Sequence, residues 1–134
     1  MQNHRQTFST GLSVDVEDGL SLAMRDYFLK PMPQTNRVEK TTLDLIELLD
    51  QKQVKATFFT LGMVAEDFPD LIKEIVSQGH ELAVHGYNHF RFFKMTPKQA
   101  LDELIQAKDI LEQISGIKVH GHRAPAFSIS RNTP

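Results

Sequence analysis

Lys55-Ala56-Thr57-Phe58-Phe59-Thr60-Leu61-Gly62 opens a stretch that runs on to Glu81-Leu82-Ala83-Val84-His85-Gly86, and its reading decides the fold. Lys55 to Leu61 and Glu81 to His85 are short apolar runs of strand type. Between them, Pro69 suits the first turn of a helix. Phe68, Leu71, Ile72, Ile75 and Val76 form one apolar stripe, and Gly79 stands where a helix ends on a glycine. A helix joining two short strands is a crossover, and crossovers build parallel sheets.

The same alternation extends both ways. Leu12, Val14 and Val16 alternate with Ser13, Asp15 and Glu17, which predicts a first strand. Residues 20–35 have no clear period and contain Pro31 and Pro33, so a long loop with about one helical turn is expected there. Asn36 with Glu39 matches a capping box. Val38, Leu45, Ile46 and Leu49 then share one helical face, ending near Gln53. Farther on, Thr96, Pro97 and Gln99 supply an N-cap, a first-turn proline and a box partner. Ala100, Leu104, Ala107, Leu111 and Ile114 follow at helical spacing until Gly116. Lys118 to about Ala124 is expected to be a fourth strand. The order is βαβαβαβ, an α/β fold with parallel strands.

Composition narrows the function. The chain has 134 residues, the size of a single domain spanning 1–134. Its net charge of -2 is not that of a nucleic-acid binder or an anionic-membrane binder. It has no cysteine, so a transition metal must sit on histidine and carboxylate. No apolar run approaches the ~18 residues of a membrane span. Met1 to Arg5 is followed by no apolar segment, so no secretory signal and a cytoplasmic location are expected.

Ligands of parallel sheets gather at the C-terminal strand ends. Polar residues that a core does not need collect there. Asp15 and Glu17 point to one side of the first strand, and Asp18 follows them. Converging carboxylates repel unless a cation lies between them; a solvated acidic loop that caps the next turn is the plainer alternative. His85 and His89 are four residues apart, so both imidazoles fall on one side of a turn. Two imidazoles and one carboxylate suit a zinc-like ion with a position left for water; two surface histidines beside Tyr87 and Phe90 are the alternative. Arg123 needs an anionic partner, and Asp15 or Glu17 is the natural one; a rim arginine in a surface ion pair is the alternative. His120 and His122 fall on the opposite face and read as structural.

Together these stations resemble the NodB-like polysaccharide deacetylase family, a carbohydrate esterase type. The first motif corresponds to Ser13-Val14-Asp15-Val16-Glu17-Asp18-Gly19, in the D-V-E-D form of one branch. The second corresponds to His85 through His89, and the third to Arg123-Ala124-Pro125-Ala126. The resemblance covers about Leu12 to Ile129. It implies the N-terminal half of a distorted (β/α)7 barrel, with later motifs, including a Leu-x-x-His general acid, absent from these residues. Gly86 stands where the family has a hydroxyl residue, so the hydrogen bond to that loop must come from elsewhere. Ala126 stands where the family has an aromatic one.

The resemblance further implies metal-dependent removal of N- or O-acetyl groups from a polysaccharide or amino sugar. His85, His89 and either Glu17 or Asp18 would hold the metal, zinc first, with cobalt, nickel or manganese as alternatives. Strand alternation favours Glu17; a turn after Glu17 favours Asp18. Asp15 would be the general base, Arg123 its holder, and the Ala126 N–H an oxyanion donor. The expected partner is an acetylated carbohydrate, with self-association through exposed sheet edges. The alternatives are a non-catalytic metal- or carbohydrate-binding fragment, and an amidase acting on non-peptide C–N bonds. An iron oxygenase with two histidines and a carboxylate has no further support in the sequence.

Overall fold

The computed structural model describes residues 10–131 and Thr133. The reading of Met1 to Arg5 as lacking a secretory signal lies outside these residues. Strand β1 is Ser13–Val16, followed by helices α1 (Gly19–Asp26) and α2 (Arg37–Gln51). Strand β2 (Thr57–Thr60) leads into α3 (Gly62–Asp67) and α4 (Pro69–Ser77). Strand β3 (Glu81–Val84) leads through a single 3-10 turn, Phe92–Lys94, into α5 (Pro97–Ser115).

The three strands form a parallel sheet in the order β1-β2-β3. This is the alternation of parallel strands and helices expected of part of a (β/α) barrel. The register sets Asp15 beside Phe59 and Phe59 beside Ala83. The intervening residues Val16, Phe58, Leu82 and Val84 are buried beneath the helices. Leu71, Ile72 and Ile75 of α4, with Ala107 and Leu111 of α5, close the core over them. Each fully buried Leu, Ile or Phe contributes about 1.5–3 kcal/mol relative to exposure.

Helix ends follow the local chemistry. Thr96 and Gln99 form the reciprocal box expected of them, with the Gln99 N–H on Thr96 Oγ1 at 3.2 Å and the Thr96 N–H on Gln99 Oε1 at 2.8 Å. Gly79 and Gly116 take left-handed φ values of +76° and +74° just past α4 and α5, where a side chain would be strained.

Four sequence expectations are corrected. Residues 19–26 form a two-turn helix in place of the long loop with about one helical turn expected there, because Asp18 caps it: its side chain accepts from the Leu20 and Ser21 N–H groups. Asn36 makes no side-chain cap bond at α2, since it lies at φ -67°, ψ 0° instead of in the extended conformation that folds a cap back. Residues 62–67 form the additional short helix α3, whose glycine start gave no periodic signal. The fourth strand shrinks to one parallel bridge between Val84 and His122. There the Val84 N–H donates to the Gly121 carbonyl and the Arg123 N–H to the Val84 carbonyl, both at 2.9 Å. Among the described residues no further strand continues the ladder beyond it. Among the described residues no helix is long and apolar enough to cross a membrane.

Candidate metal centre

Glu17 leaves the end of β1, and the loop after β3 brings two histidines to meet it. Glu17 Oε2 lies 3.4 Å from His85 Nε2 and 3.1 Å from His89 Nε2. Glu17, His85 and His89 offer ligand atoms that all lie within 4.8 Å of one another, the one such group of three found among the described residues. His85 is 2% exposed, while Glu17 and His89 are 28% and 17% exposed, so the cluster joins a buried imidazole to two partly solvent-exposed side chains.

The details fit a cation. Glu17 Oε2 is buried yet receives no well-aligned hydrogen bond, although two imidazole nitrogens face it. Two ligands held about 2.0–2.1 Å from a tetrahedral ion stand about 3.3 Å apart. Both Glu17 separations are close to that value. His85 Nδ1 is 2.8 Å from the Arg123 carbonyl oxygen. Donation to that carbonyl leaves Nε2 as the ring's lone-pair atom, aimed at the cluster.

The electrostatics agree. The His85 and His89 imidazoles hold the Glu17 carboxyl at about 2, against the opposing effect of its burial. Burial disfavours a charge on His85, but the Glu17 carboxylate and the Arg123 carbonyl outweigh it and raise its pKa. Without a cation the site therefore attracts protons, as a cluster built to hold positive charge should.

Asp15 sits beside this group. Its Oδ2 is 3.8 Å from His85 Nε2, and its Oδ1 accepts from Arg123 Nη1 at 2.6 Å. Arg123 Nη2 also donates to Ser13 Oγ at 2.6 Å, and the guanidinium lies 4.1 Å from the Phe59 ring centroid. The arginine is thus held by two oxygens and an aromatic face, and it fixes one oxygen of Asp15.

Asp18 does not join the cluster. Its carboxylate is spent on α1 and on the Thr35 N–H, which donates to its second oxygen. A turn starts at Asp18, but that turn directs the side chain into the helix cap, so of the two carboxylates only Glu17 reaches the histidines. Ala126 is exposed at φ +52° in a 3-10 turn, Pro125–Phe127, just after Arg123. His120 is exposed, and the His122 ring stacks on Phe92 with centroids 5.3 Å apart.

Sequence reasoning missed the contacts that hold the histidine loop. Arg25 Nη1 donates to the Asn88 carbonyl at 2.7 Å, and Glu103 Oε1 accepts from the Tyr87 and Asn88 N–H groups. Arg25 lies in the stretch expected to be mostly loop and Glu103 on the helix expected between Thr96 and Gly116, and neither belongs to a recognisable motif. Beside His89 opens a cavity of about 340 Å³ lined also by Arg25, Tyr27, Phe90 and Arg91.

The family profile for polysaccharide deacetylase matches residues 31–134. The chain belongs to the polysaccharide deacetylase family. It is 34% identical over 91 residues to a peptidoglycan-N-acetylglucosamine deacetylase of Bacillus cereus, covering 68% of this chain and 33% of that one. It is also 34% identical over 89 residues to a peptidoglycan deacetylase of Helicobacter pylori, covering 66% of this chain and 30% of that one. The chain thus spans about a third of the length of these curated relatives. Among solved structures, a Mycobacterium smegmatis protein whose polysaccharide deacetylase name is provisional superposes with a TM-score of 0.77 at 29% identity. That match covers 92% of this chain and 45% of the other.

Proposed function

We propose that this chain carries the metal centre and general base of a deacetylase that hydrolyses N- or O-acetyl groups on a carbohydrate. The observation that carries the proposal is the meeting of Glu17, His85 and His89 around one buried, unbonded carboxylate oxygen, with Asp15 alongside. The named activities of the relatives support the acetylated-sugar substrate class.

Glu17, His85 and His89 would hold a zinc-like divalent ion, with cobalt, nickel and manganese as alternatives. When bound, such an ion polarises a carbonyl and makes water a better nucleophile at neutral pH. The chain's own groups supply the rest. Asp15 accepts the proton of the attacking water as general base, and the departing amine or alcohol takes a proton from solvent as its bond to the acetyl carbon breaks. Arg123, itself held by Ser13, keeps Asp15 in place, so the carboxylate meets the water in one orientation. The Ala126 N–H serves as a donor for the charge that builds on the acetyl oxygen. The cavity beside His89 receives part of the sugar, with Tyr27 and Phe90 as apolar surfaces. Self-association through the outer edge of β1 accompanies this reading when the chain is isolated.

The test is acetate release from N-acetylglucosamine oligomers and from an O-acetylated sugar by the protein, with zinc supplied and again after chelation. Release that stops on chelation and falls by about 10²–10⁴ in Asp15→Asn is expected. Chelator-resistant release, or full activity in Asp15→Asn, contradicts the proposal.

A further inference from the structure

We propose that Glu103 is a positioning residue for His89: from α5, its carboxylate fixes the loop that delivers the imidazole to Glu17. This rests on the metal-centre reading above.

The loop from Gly86 to Asn88 has its backbone groups held from three directions. The Gly62 N–H donates to the Gly86 carbonyl and the Met63 N–H to the Tyr87 carbonyl, both at 3.0 Å, from the start of α3. Arg25 holds the Asn88 carbonyl from α1. The two loop N–H groups, of Tyr87 and Asn88, go to a single atom, Glu103 Oε1, at 3.0 and 3.1 Å. A carboxylate that accepts two backbone N–H groups makes charge-assisted bonds, stronger than neutral ones.

The loop needs this support. His89 lies in the left-handed region at φ +66°, a conformation that persists in a non-glycine residue only where the surroundings over-determine it. Residue 86 gives no help from its own side chain. Gly86 has φ +83°, and a Cβ there would lie 3.2 Å from Pro125 Cγ. A hydroxyl residue at this position would be strained and crowded, so the bonds that order the loop come across from α5. Glu103 Oε1 is itself 3.7 Å from where that Cβ would be. Glu103 does not contact Glu17 or either imidazole; it acts through the backbone that precedes His89.

The experiment titrates cobalt(II) into the purified protein and follows its visible absorption, in wild type, Glu103→Ala, Glu103→Gln and His89→Ala. Amide hydrogen exchange of Tyr87 and Asn88 is measured in the metal-free protein alongside. Glu103→Ala should weaken cobalt binding by about 10–100-fold, the usual effect of losing a group that orients a ligand. It should also speed exchange at those two amides by at least about tenfold, one order of magnitude in the opening equilibrium. Glu103→Gln retains an acceptor oxygen and should remain within a few-fold of wild type in both. If Glu103→Ala does not fold, Glu103→Asp, too short to serve both amides, carries the same expectation. Cobalt affinity unchanged in Glu103→Ala, while His89→Ala loses it, overturns the positioning role and leaves the metal centre standing. Wild-type cobalt binding in His89→Ala removes the metal centre, and this proposal with it.

Discussion

Glu17 and Asp18 are neighbours with the same chemistry and separate fates. One carboxylate faces two imidazoles; the other satisfies the first N–H groups of α1 and the Thr35 N–H. Asp18→Ala should therefore cost about 0.5–2 kcal/mol in denaturant unfolding, the range for a lost N-cap, and leave metal stoichiometry intact. Glu17→Gln should do the reverse. Equal loss of metal in both variants would show that the cap and the ligand are not separable. Acid affects the proposed ligands unequally. Glu17, held at about 2, stays ionised through the neutral range, whereas His85 has a raised pKa and must lose a proton to bind a cation. Metal affinity should thus fall as pH falls through the region above and around 6.5, with proton release on binding at neutral pH. Isothermal titration in buffers of different ionisation heat measures that release; none at pH 6.5 would contradict it. The pairing of Arg123 with an acidic residue was legible, because an arginine at a strand end needs an anion. Strand alternation also favoured Glu17 over Asp18. That this acidic loop caps the next turn was legible as the plainer alternative, but the run of like residues did not tell which carboxylate caps α1 and which faces the histidines. Glu103 was not readable, since its contacts lie 15 and 16 residues away on another element.

At the scale of elements, periodicity located what is amphipathic and missed what is short. The helices α4 and α5 were legible because their stripes face one core and their ends carry proline, threonine and glycine signals. α1 and α3 are too short to establish a period, and their starts are set by a capping aspartate and a tight packing site. Gly62 is that site. A Cβ there would sit 2.6 Å from Tyr87 Cδ2 and 3.3 Å from Ala107 Cα. Gly62→Ala should push α3 away from α5 and from the histidine loop, destabilising by about 1–3 kcal/mol as an overpacked core does. It should also weaken metal binding, as calorimetry would read. A variant as stable as wild type with undiminished metal affinity would contradict that packing account. A second element-scale device joins the starts of β2 and β3. His80 is buried, and its Nδ1 accepts from the Ala56 N–H at 3.2 Å. Burial lowers its pKa below 6.5, so the neutral ring belongs to the fold. Its contribution is full above about 6.5 and is lost as pH falls through the folded value. His85, with its raised pKa, acts in the opposite sense in the metal-free protein, so the two are separated by comparing variants. His80→Leu should lose this part of the acid slope and cost about 1–3 kcal/mol at neutral pH, because the Ala56 N–H is orphaned. An unchanged slope would place the titrating group elsewhere.

At the scale of the whole molecule, the parallel sheet puts the candidate site residues at one end. Asp15, Glu17, His85, His89 and Arg123 come from three separate stations of the chain and converge because β1, β2, β3 and the bridge at His122 run in the same direction. That convergence was legible from the alternation of strands and helices. The fourth strand was less so, because a run of apolar and polar residues does not reveal how many neighbours will pair with it. Leu12, Tyr27, Phe28 and Leu29 carry exposed apolar side chains, and among the described residues no strand pairs with the outer side of β1. Uncovered edges favour association, so the isolated chain should gain mass with concentration in light scattering; a monomer at every dilution would contradict this. The central claim is that Glu17, His85 and His89 make one metal site. Its most direct test is zinc titration calorimetry on wild type and on the double variant His85→Ala/His89→Ala. The account predicts about one zinc per wild-type chain and none held by the double variant; undiminished stoichiometric binding by the double variant would contradict it.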